Sequence, residues 1–196
     1  MTSSSRLVEL AREINDHIPE NILKKEMARP LSNVDLEEMM ENKAKIVLYS
    51  QLRKYHNITD LLHPFNCTFI LYEQRPGYGH WCVLIKHKDW IEFFDPYAYF
   101  IDDQLKWTSP EERVKLKMNY PYLTKLLLTA PKHYSIIYNE HPFQKFGKGI
   151  STCGRHCVLR GTFKNLTLEE YVKMFGKDLS KMDKTVTLLT IPHEQQ

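Results

Sequence analysis

Two cysteines, Cys153 and Cys157, lie four residues apart in the stretch GISTCGRHCVLRGTF, which spans 149–163. This spacing is about one helical turn, and Ser151 or Thr152 precedes it as a candidate N-cap, so we predict a helix that begins near Cys153. Unpaired backbone N–H groups and the helix dipole at such an N-terminus favour a thiolate. Cys157 lies a turn deeper beside apolar residues, where a thiol packs as a small hydrophobic side chain. Cys153 is therefore the candidate nucleophile.

A candidate base for this thiol lies in a predicted β-hairpin made of the runs HWCVLIKH and WIEFFDP. With Lys88 and Asp89 as a two-residue turn, the antiparallel register places Asp95 diagonal to His80 on one face of the sheet. A carboxylate at the far nitrogen of an imidazole fixes its tautomer and stabilises the imidazolium formed during proton transfer. The hairpin therefore predicts a His80–Asp95 pair.

Gln144 lies in the loop that leads to Cys153 and is the candidate oxyanion donor, together with the Cys153 backbone N–H. A cysteine, a histidine and an aspartate with such a donor form an arrangement that recurs for acyl transfer on unrelated folds. These residue types predict a thiol hydrolase whose chemistry requires no cofactor.

A zinc site is the alternative interpretation, with ligands drawn from His80, Cys82, Cys153, His156 and Cys157. A His-x-Cys pair on a strand does place both side chains on one face, and both residue types are common zinc ligands. No CxxC pair is present, however, and the adjacent His156 and Cys157 would point about 100° apart on a helix. We therefore predict no metal.

The elements that must position these residues form an α+β pattern. Strands are predicted in 45–50, 67–74, 80–87, 90–96 and 134–140, and helices in 5–15, 36–40, 121–130, 167–176 and from Cys153 onward. Strands in the middle of the chain with helices at both ends favour a central, mostly antiparallel or mixed sheet over a repeated βαβ fold. We expect one domain over 1–196, with a helical N-terminal extension (1–44) and a catalytic core (45–196).

The composition is that of an ordinary globular protein of 196 residues, with 42% hydrophobic residues and a net charge of +3. The chain has no long apolar run, and its amphipathic start contains acids, so we predict neither a signal peptide nor a membrane partner. Four cysteines in a chain of this length do not indicate a disulfide scaffold, which favours a reducing compartment and free thiols.

The motifs GHW (79–81), EFFDPY (92–97), Gln144 and TCGRH (152–156) occur in an order that resembles one clan of cysteine proteases. This clan, clan CE, includes the adenovirus maturation protease (adenain) and the SUMO-specific proteases. Within it, the chain resembles the predicted maturation proteases of virophages, large DNA viruses and related mobile elements. The resemblance covers about residues 45–175 and implies a core helix with the nucleophile at its N-terminus.

The same resemblance implies roles for four residues: Cys153 as nucleophile, His80 as general base, Asp95 as its orienting group and Gln144 as oxyanion donor. It implies an endopeptidase that cleaves viral precursor proteins, capsid proteins above all, during particle maturation in the virion and the infected host cytoplasm. A protease that acts on ubiquitin-like modifiers, a deubiquitinase or deSUMOylase, remains an open alternative.

Substrate contacts are predicted next to the base and the nucleophile. The Trp81 indole would lie over the substrate chain, while Gly79 and Gly154 would let that chain pass without a steric clash. The resemblance implies cleavage after a small residue, most often Gly, with a second Gly just upstream.

A basic segment lies between His141 and Leu168, where no Asp or Glu occurs. Its cations are Lys145, Lys148, Arg155, Arg160 and Lys164. They form either a solvated basic face or a nucleic-acid-binding surface. The resemblance implies the second, with DNA or a peptide as activator, and such binding would weaken steeply with salt.

Overall fold

The computed structural model describes residues 3–175 and 177–191, with side chains from residue 9, so both ends of the predicted 1–196 domain lie outside it. The described residues contain one five-stranded sheet. Its strands, in spatial order, are β1 (Lys45–Leu48), β2 (Cys67–Arg75), β3 (Tyr78–Lys86), β4 (Trp90–Phe94) and β5 (Ser135–Tyr138). The central pairs are antiparallel, whereas β1 and β5 run parallel to their neighbours. The predicted α+β class with a mixed sheet is confirmed.

Helices precede the sheet, connect its strands and follow it. The helices of the described residues are α1 (Ser3–His17), α2 (Glu20–Ala28), α3 (Asn33–Met39), α4 (Ile58–Leu62), α5 (Pro110–Lys115), α6 (Tyr122–Leu127), α7 (Cys153–Thr162), α8 (Leu168–Val172) and α9 (Leu179–Leu188). Two 3₁₀ turns, Tyr49–Lys54 and Asp103–Trp107, lie beside the sheet. The helix predicted near Cys153 begins at that residue. Gly176, the last residue of the predicted 167–176 helix, lies outside the described residues.

The β3–β4 hairpin has the register that the sequence predicts. Lys86 lies opposite Ile91, and the His87 N–H donates to the Trp90 carbonyl at 2.9 Å, which leaves two residues for the turn. Since side chains alternate between the faces of a strand, this register fixes which groups meet at the other end of the hairpin. There the start of β3, which carries His80, lies beside the end of β4.

Apolar side chains cover both faces of the sheet. The face toward α7 carries Phe69, Leu71, Trp81, Val83, Ile85 and Phe94, and the opposite face carries Ile70, Tyr72, Cys82, Leu84, Ile91 and Phe93. Strands buried on both faces are nearly continuous hydrophobic runs, which is why the middle of this sequence shows little alternation. Residues 153–161 of α7 are buried as well, so the catalytic candidate lies on a helix held firmly against the sheet.

A buried ion pair fastens the N-terminal helices to α7. The Arg155 Nη2 lies 2.5 Å from the Glu26 Oε2, and both side chains are almost inaccessible. Arg155 also donates through Nη1 to the Thr190 side chain at 2.8 Å. The Ser151 N–H donates to the Met27 carbonyl at 2.7 Å just ahead of the helix. The region 26–31 is therefore packed against the start of α7.

Glu26→Ala is expected to lower the free energy of unfolding by about 3–5 kcal/mol, because it leaves the Arg155 guanidinium buried without its counter-charge. Chemical denaturation measures this change. Glu20→Ala is the control on the same helix: Glu20 pairs only with Lys24 at the surface, and its removal should change stability little. Equal effects of the two substitutions would contradict the role of the buried pair.

The predicted basic surface is wrong for two of its five residues. Arg155 and Arg160 are fully buried, because each compensates a buried carboxylate. Arg160 contacts both oxygens of Glu92, at 2.6 and 2.7 Å, while Arg155 pairs with Glu26. Charges neutralised in this way cannot contact a nucleic acid. Of the other three predicted residues, Lys145 and Lys148 are exposed and Lys164 is half-buried.

Candidate active site

His80 and Asp95 form a buried pair where β3 begins and β4 ends. The His80 Nε2 lies 2.9 Å from the Asp95 Oδ1, and the two side chains are 4% and 0% exposed. The same oxygen accepts the Tyr97 backbone N–H at 2.7 Å. The distance is that of a charge-assisted hydrogen bond, so the carboxylate can orient the imidazole and stabilise its protonated form.

Three residues that sequence reasoning missed hold Asp95 in place. Gln104 Nε2 and the Cys82 thiol, the latter at 3.4 Å, both donate to the Asp95 Oδ2. Asn139 brackets the Asp95 backbone: its Oδ1 accepts the N–H at 2.9 Å and its Nδ2 donates to the carbonyl at 2.7 Å. Every lone-pair direction of the carboxylate therefore faces a donor, which leaves it one orientation.

Aromatic rings fix the plane of the His80 imidazole. Tyr97 stacks on it with ring centroids 5.0 Å apart, and Trp107 meets it edge-on at 5.1 Å. Tyr97 stacks in turn on Phe146 at 4.4 Å, and Phe146 is largely exposed. One face of the imidazole is thus covered by Tyr97, and Trp107 meets the ring at a steep angle.

Cys153 is the first residue of α7, and its side chain is close enough to His80 to help raise the pKa of that imidazole. Since the His80 Nε2 faces Asp95, Nδ1 is the nitrogen left for the thiol. The helix N-terminus adds unpaired backbone N–H groups beside the sulfur. Cys153 is only 7% exposed, so the approach to it is narrow. The geometry suits proton transfer from the thiol to His80 followed by nucleophilic attack.

His80 is held in its charged form. Burial opposes the charge, but the charge and hydrogen bond of Asp95, together with the Cys153 side chain, outweigh it and raise the pKa of His80 from 6.5 to about 10. A pKa that is higher in the folded than in the unfolded state stabilises the fold fully below the unfolded value. This contribution is then lost as the pH rises through about 10.

Comparison of the wild type with His80→Gln tests this sign. The wild type is expected to exceed the variant in free energy of unfolding by more at about pH 6 than at about pH 10, as measured by urea denaturation. His133→Gln, at an exposed histidine, is the control and should show no such trend. A difference that grows with pH would mean that His80 is not held protonated.

Gln144 lies beside the turn that follows Asp95, where its backbone N–H donates to the Pro96 carbonyl at 3.0 Å. Gln144 is 2% exposed, and its Oε1 is buried without a hydrogen-bond partner in the part of the chain that the structure describes. No described residue accepts a hydrogen bond from this amide. A buried amide that the protein leaves uncommitted is able to donate to a ligand oxygen.

Asp183, on α9, joins the Gln144 loop to the start of α7, a contact that no local sequence pattern predicts. Its Oδ2 accepts the Lys145 N–H at 2.9 Å, and its Oδ1 accepts the Thr152 hydroxyl at 2.6 Å. His156 Nε2 lies 2.9 Å from Oδ1 as well. Because Lys145 follows Gln144 and Thr152 precedes Cys153, one buried carboxylate sets the distance between the two candidate oxyanion donors.

Asp183→Asn is expected to lower kcat by about tenfold with little change in KM, less than the 10²–10³-fold loss that follows removal of an oxyanion donor. The amide would turn an N–H₂ group toward one of the three donors that Asp183 now accepts. Steady-state kinetics measures the change. Asp178→Asn is the control, because Asp178 caps the same helix and asparagine caps equally well. An unchanged kcat in Asp183→Asn would mean that Asp183 does not position the oxyanion donors.

Of the three predicted substrate contacts, Trp81 and Gly154 are buried and Gly79 is half-buried. Trp81 is 2% exposed and donates through Nε1 to the Leu31 carbonyl at 2.9 Å. A Cβ at Gly154 would lie 3.1 Å from the Leu31 Cβ, and one at Gly79 would lie 1.9 Å from the Tyr72 carbonyl oxygen. The glycines thus permit close packing of Leu31 and of β2, and substrate contacts at Trp81, Gly79 and Gly154 stay a prediction.

The residues of the alternative zinc set are not all brought together: His80 and Cys82 lie close to each other, whereas His156 and Cys157 are bonded elsewhere. The Cys157 thiol donates to the Trp81 carbonyl at 3.3 Å, and His156 is bonded to Asp183. In the described chain, His80, Cys82 and Asp95 are the group whose ligand-type atoms all lie within 4.8 Å of one another. Those three are already hydrogen-bonded to one another through the Asp95 carboxylate.

Comparison with known proteins finds a relative of this chain in a virophage. No family model matches it. It is 43% identical over 166 residues to uncharacterized protein V9 of Sputnik virophage, an alignment that covers 82% of this chain and 94% of V9. The chain belongs to the V9 family. The virophage part of the sequence resemblance is thereby confirmed.

Solved structures similar to this V9-family protein are proteases, the class that its motifs resemble. The ASFV pS273R protease matches with a TM-score of 0.46 and 14% identity, covering 82% of this chain and 67% of that one. The C-terminal Ulp1 protease domain, solved with Smt3, the yeast orthologue of SUMO, has a TM-score of 0.36 and 13% identity, covering 83% and 77%. A de-sumoylating protease has 0.35 and 14%, covering 86% and 79%. Each helix within the described residues is too short or too polar to cross a membrane.

Proposed function

We propose that this V9-family protein is a cysteine endopeptidase with Cys153 as its nucleophile. The observation that supports this most is the buried His80–Asp95 pair, 2.9 Å apart, beside a cysteine at a helix N-terminus whose side chain helps raise the pKa of His80. A histidine buried for structural reasons alone needs no carboxylate on one nitrogen and a cysteine on the other. Nucleophile, base and orienting group in this order are the parts that acyl transfer through a thiol requires.

The reaction follows from these positions. With the Cys153 proton already on the His80 Nδ1, the pair is a thiolate beside an imidazolium, and the thiolate attacks the carbonyl carbon of a peptide bond. The Gln144 amide and the Cys153 backbone N–H donate to the oxyanion. His80 then returns its proton to the leaving amine as the C–N bond breaks. Water, activated by His80, attacks the thioester and releases the acid product and the free thiol.

Glycine beside the cut is the specificity that the site supports. Cys153 and His80 are almost fully buried, and Leu31 packs against Trp81 and Gly154 on the approach to them. A chain with bulky side chains at the scissile bond would clash with these walls, whereas glycine has none. Narrow sites of this kind select by excluding the wrong sequences. The docked region 26–31 supplies a wall of the site, which supports one domain rather than a separable N-terminal extension.

Viral precursor proteins, capsid proteins above all, are the substrates we propose, and the virion and infected cell the places where they are cut. The family relationship to a virophage protein supports this choice. Lys145 and Lys148 remain the exposed cations beside Gln144, and an activating DNA or peptide stays a prediction. The chemistry itself uses only groups of this chain.

Incubation with the capsid proteins of its own virus or element tests the proposal, with N-terminal sequencing of the products. We expect discrete cuts after Gly-Gly or Gly-Xaa-Gly, absent when Cys153→Ala replaces the wild type. A parallel arm offers ubiquitin and SUMO conjugates. Turnover of those conjugates, with the capsid proteins untouched, would assign the protein to modifier removal. Cleavage that persists in Cys153→Ala would end the cysteine-protease proposal.

A further inference from the structure

A second cavity lies at the end of β3 opposite the candidate active site. Its volume is about 590 Å³, and it opens between the β3–β4 turn, the residues before β5 and the segment after α7. The lining residues that matter are Lys86, His87, Lys88, Trp90, Tyr134 and Lys164. Lys86 and His80 are six residues apart on one strand, which is about 20 Å, so the cavity is separate from the catalytic residues.

The cavity is positively charged. Lys86, Lys88 and Lys164 all line it, and none of them lies within 4.0 Å of a carboxylate in the described residues. Lys164 Nζ donates only to a backbone carbonyl, that of Phe65, at 3.0 Å. The carboxylate beneath them, Glu92, is already neutralised by Arg160. Asp89 of the turn is not part of the lining. Three cations without counter-charges therefore face one concave space.

Flat rings lie among these cations. Trp90 and Tyr134 are both half-buried and line the cavity. His87 stacks on Trp90 at 4.6 Å and is itself held by Glu92 at 3.1 Å, so the ring of Trp90 is fixed from one side. The Trp90 indole N–H is buried and has no hydrogen-bond partner among the described residues. A buried indole N–H usually has a hydrogen-bond partner, so this donor lacks a partner that a ligand can supply.

We infer that this cavity binds a nucleotide unit, a phosphate group with its adjoining base. Lysines without a carboxylate partner, here Lys86 over the Tyr134 ring at 5.7 Å and Lys164 on a backbone carbonyl, neutralise phosphate. Aromatic side chains provide stacking surfaces for any base without selecting its sequence. A concave site that combines both is typical of proteins that bind single-stranded nucleic acid. The inference does not depend on protease activity. The proposed anion-binding surface lies at the end of the sheet opposite the candidate active site, and Lys164 is the residue that it shares with the basic segment predicted from the sequence.

Binding of a labelled oligothymidylate of about 12 nucleotides, followed by fluorescence anisotropy, tests the inference. Lys86→Gln combined with Lys88→Gln is expected to weaken binding at least tenfold at low salt and to reduce the salt slope by about 1.4. Tyr134→Leu should weaken it at least fivefold by removing a stacking surface. Lys145→Gln combined with Lys148→Gln is the matched control, with the same loss of charge at exposed lysines outside the cavity, and should change binding much less. Thermal unfolding checks that each variant is folded.

Competition with thymidine monophosphate and with inorganic phosphate identifies the source of the ligand. A nucleic-acid site binds the oligonucleotide far more tightly than the mononucleotide, whereas a site for free nucleotides binds the two equally. If the protein binds neither the oligonucleotide nor thymidine monophosphate nor inorganic phosphate at low salt, the inference is wrong. An equal loss in the control pair would do so as well, because the anion-binding surface would then lie beside Gln144.

Discussion

Replacing Cys153 with alanine is expected to abolish peptide cleavage, while Cys157→Ala leaves the rate within a few-fold. Cys153 is the thiol in reach of His80, whereas the Cys157 thiol donates to the Trp81 carbonyl and is fully buried. Burial, together with the charge of Cys153, raises the pKa of Cys157 well above its ordinary value, so Cys157 supplies no thiolate near neutral pH. Rates on a Gly-Gly peptide measure the difference.

The two cysteine variants also control for each other's effect on the fold. Truncation of the buried Cys157 costs on the order of 1 kcal/mol of stability and no catalytic group. Thermal unfolding should therefore show the larger shift in Cys157→Ala and the larger loss of activity in Cys153→Ala. A comparable loss of activity in both variants would mean that the two thiols act together, as metal ligands do.

Asp95→Asn is expected to lower kcat/KM by about 10³–10⁴-fold, the loss that follows removal of the orienting carboxylate from a hydrolase triad. The Asp95 carboxylate accepts hydrogen bonds from His80, Tyr97, Gln104 and Cys82. An amide would turn an N–H₂ group toward some of these donors, so the imidazole would lose its partner, its tautomer or both. Steady-state kinetics on the same peptide measures the effect.

Asp103→Asn is the matched control, because Asp103 lies close in sequence and pairs only with Lys106 at the surface. It should leave the rate unchanged. The pH profile of kcat/KM separates a catalytic effect from unfolding. In a folded Asp95→Asn protein the profile should change, because Asp95 no longer stabilises the protonated form of His80. A folded Asp95→Asn protein with wild-type activity would contradict the assignment of Asp95 as orienting group.

The His80–Asp95 pair was predictable because its two members belong to one hairpin. A turn of two residues fixes the register of every pair along both strands, and the hydrophobic pattern marks where the strands run. The position of Cys153 at a helix start was predictable for a similar reason, since small capping residues and the Cys-Gly step lie next to each other in the chain. Local geometry sufficed in both cases.

Contacts between residues that are far apart in the chain could not be predicted from the sequence. Asp183 meets Thr152 across 31 residues and Lys145 across 38, and nothing in its neighbourhood distinguishes it from a surface acid on a helix. Arg155 looked like a surface cation because its partner, Glu26, lies 129 residues away. Burial of a charge depends on a counter-charge that only the fold brings near. For the same reason the sequence did not predict the contact of Leu31 with Trp81, which lies 50 residues away.

Active-site labelling tests the central claim most directly. A peptide ending in Gly-Gly and carrying an electrophile in place of the scissile bond is incubated with the folded protein, and the adduct is mapped by mass spectrometry. The account predicts a single label on Cys153, greatly slowed by His80→Ala and unaffected by Cys157→Ala. A label on Cys157 or Cys82, or equal labelling of Cys153 with and without His80, would show that Cys153 is not an activated nucleophile.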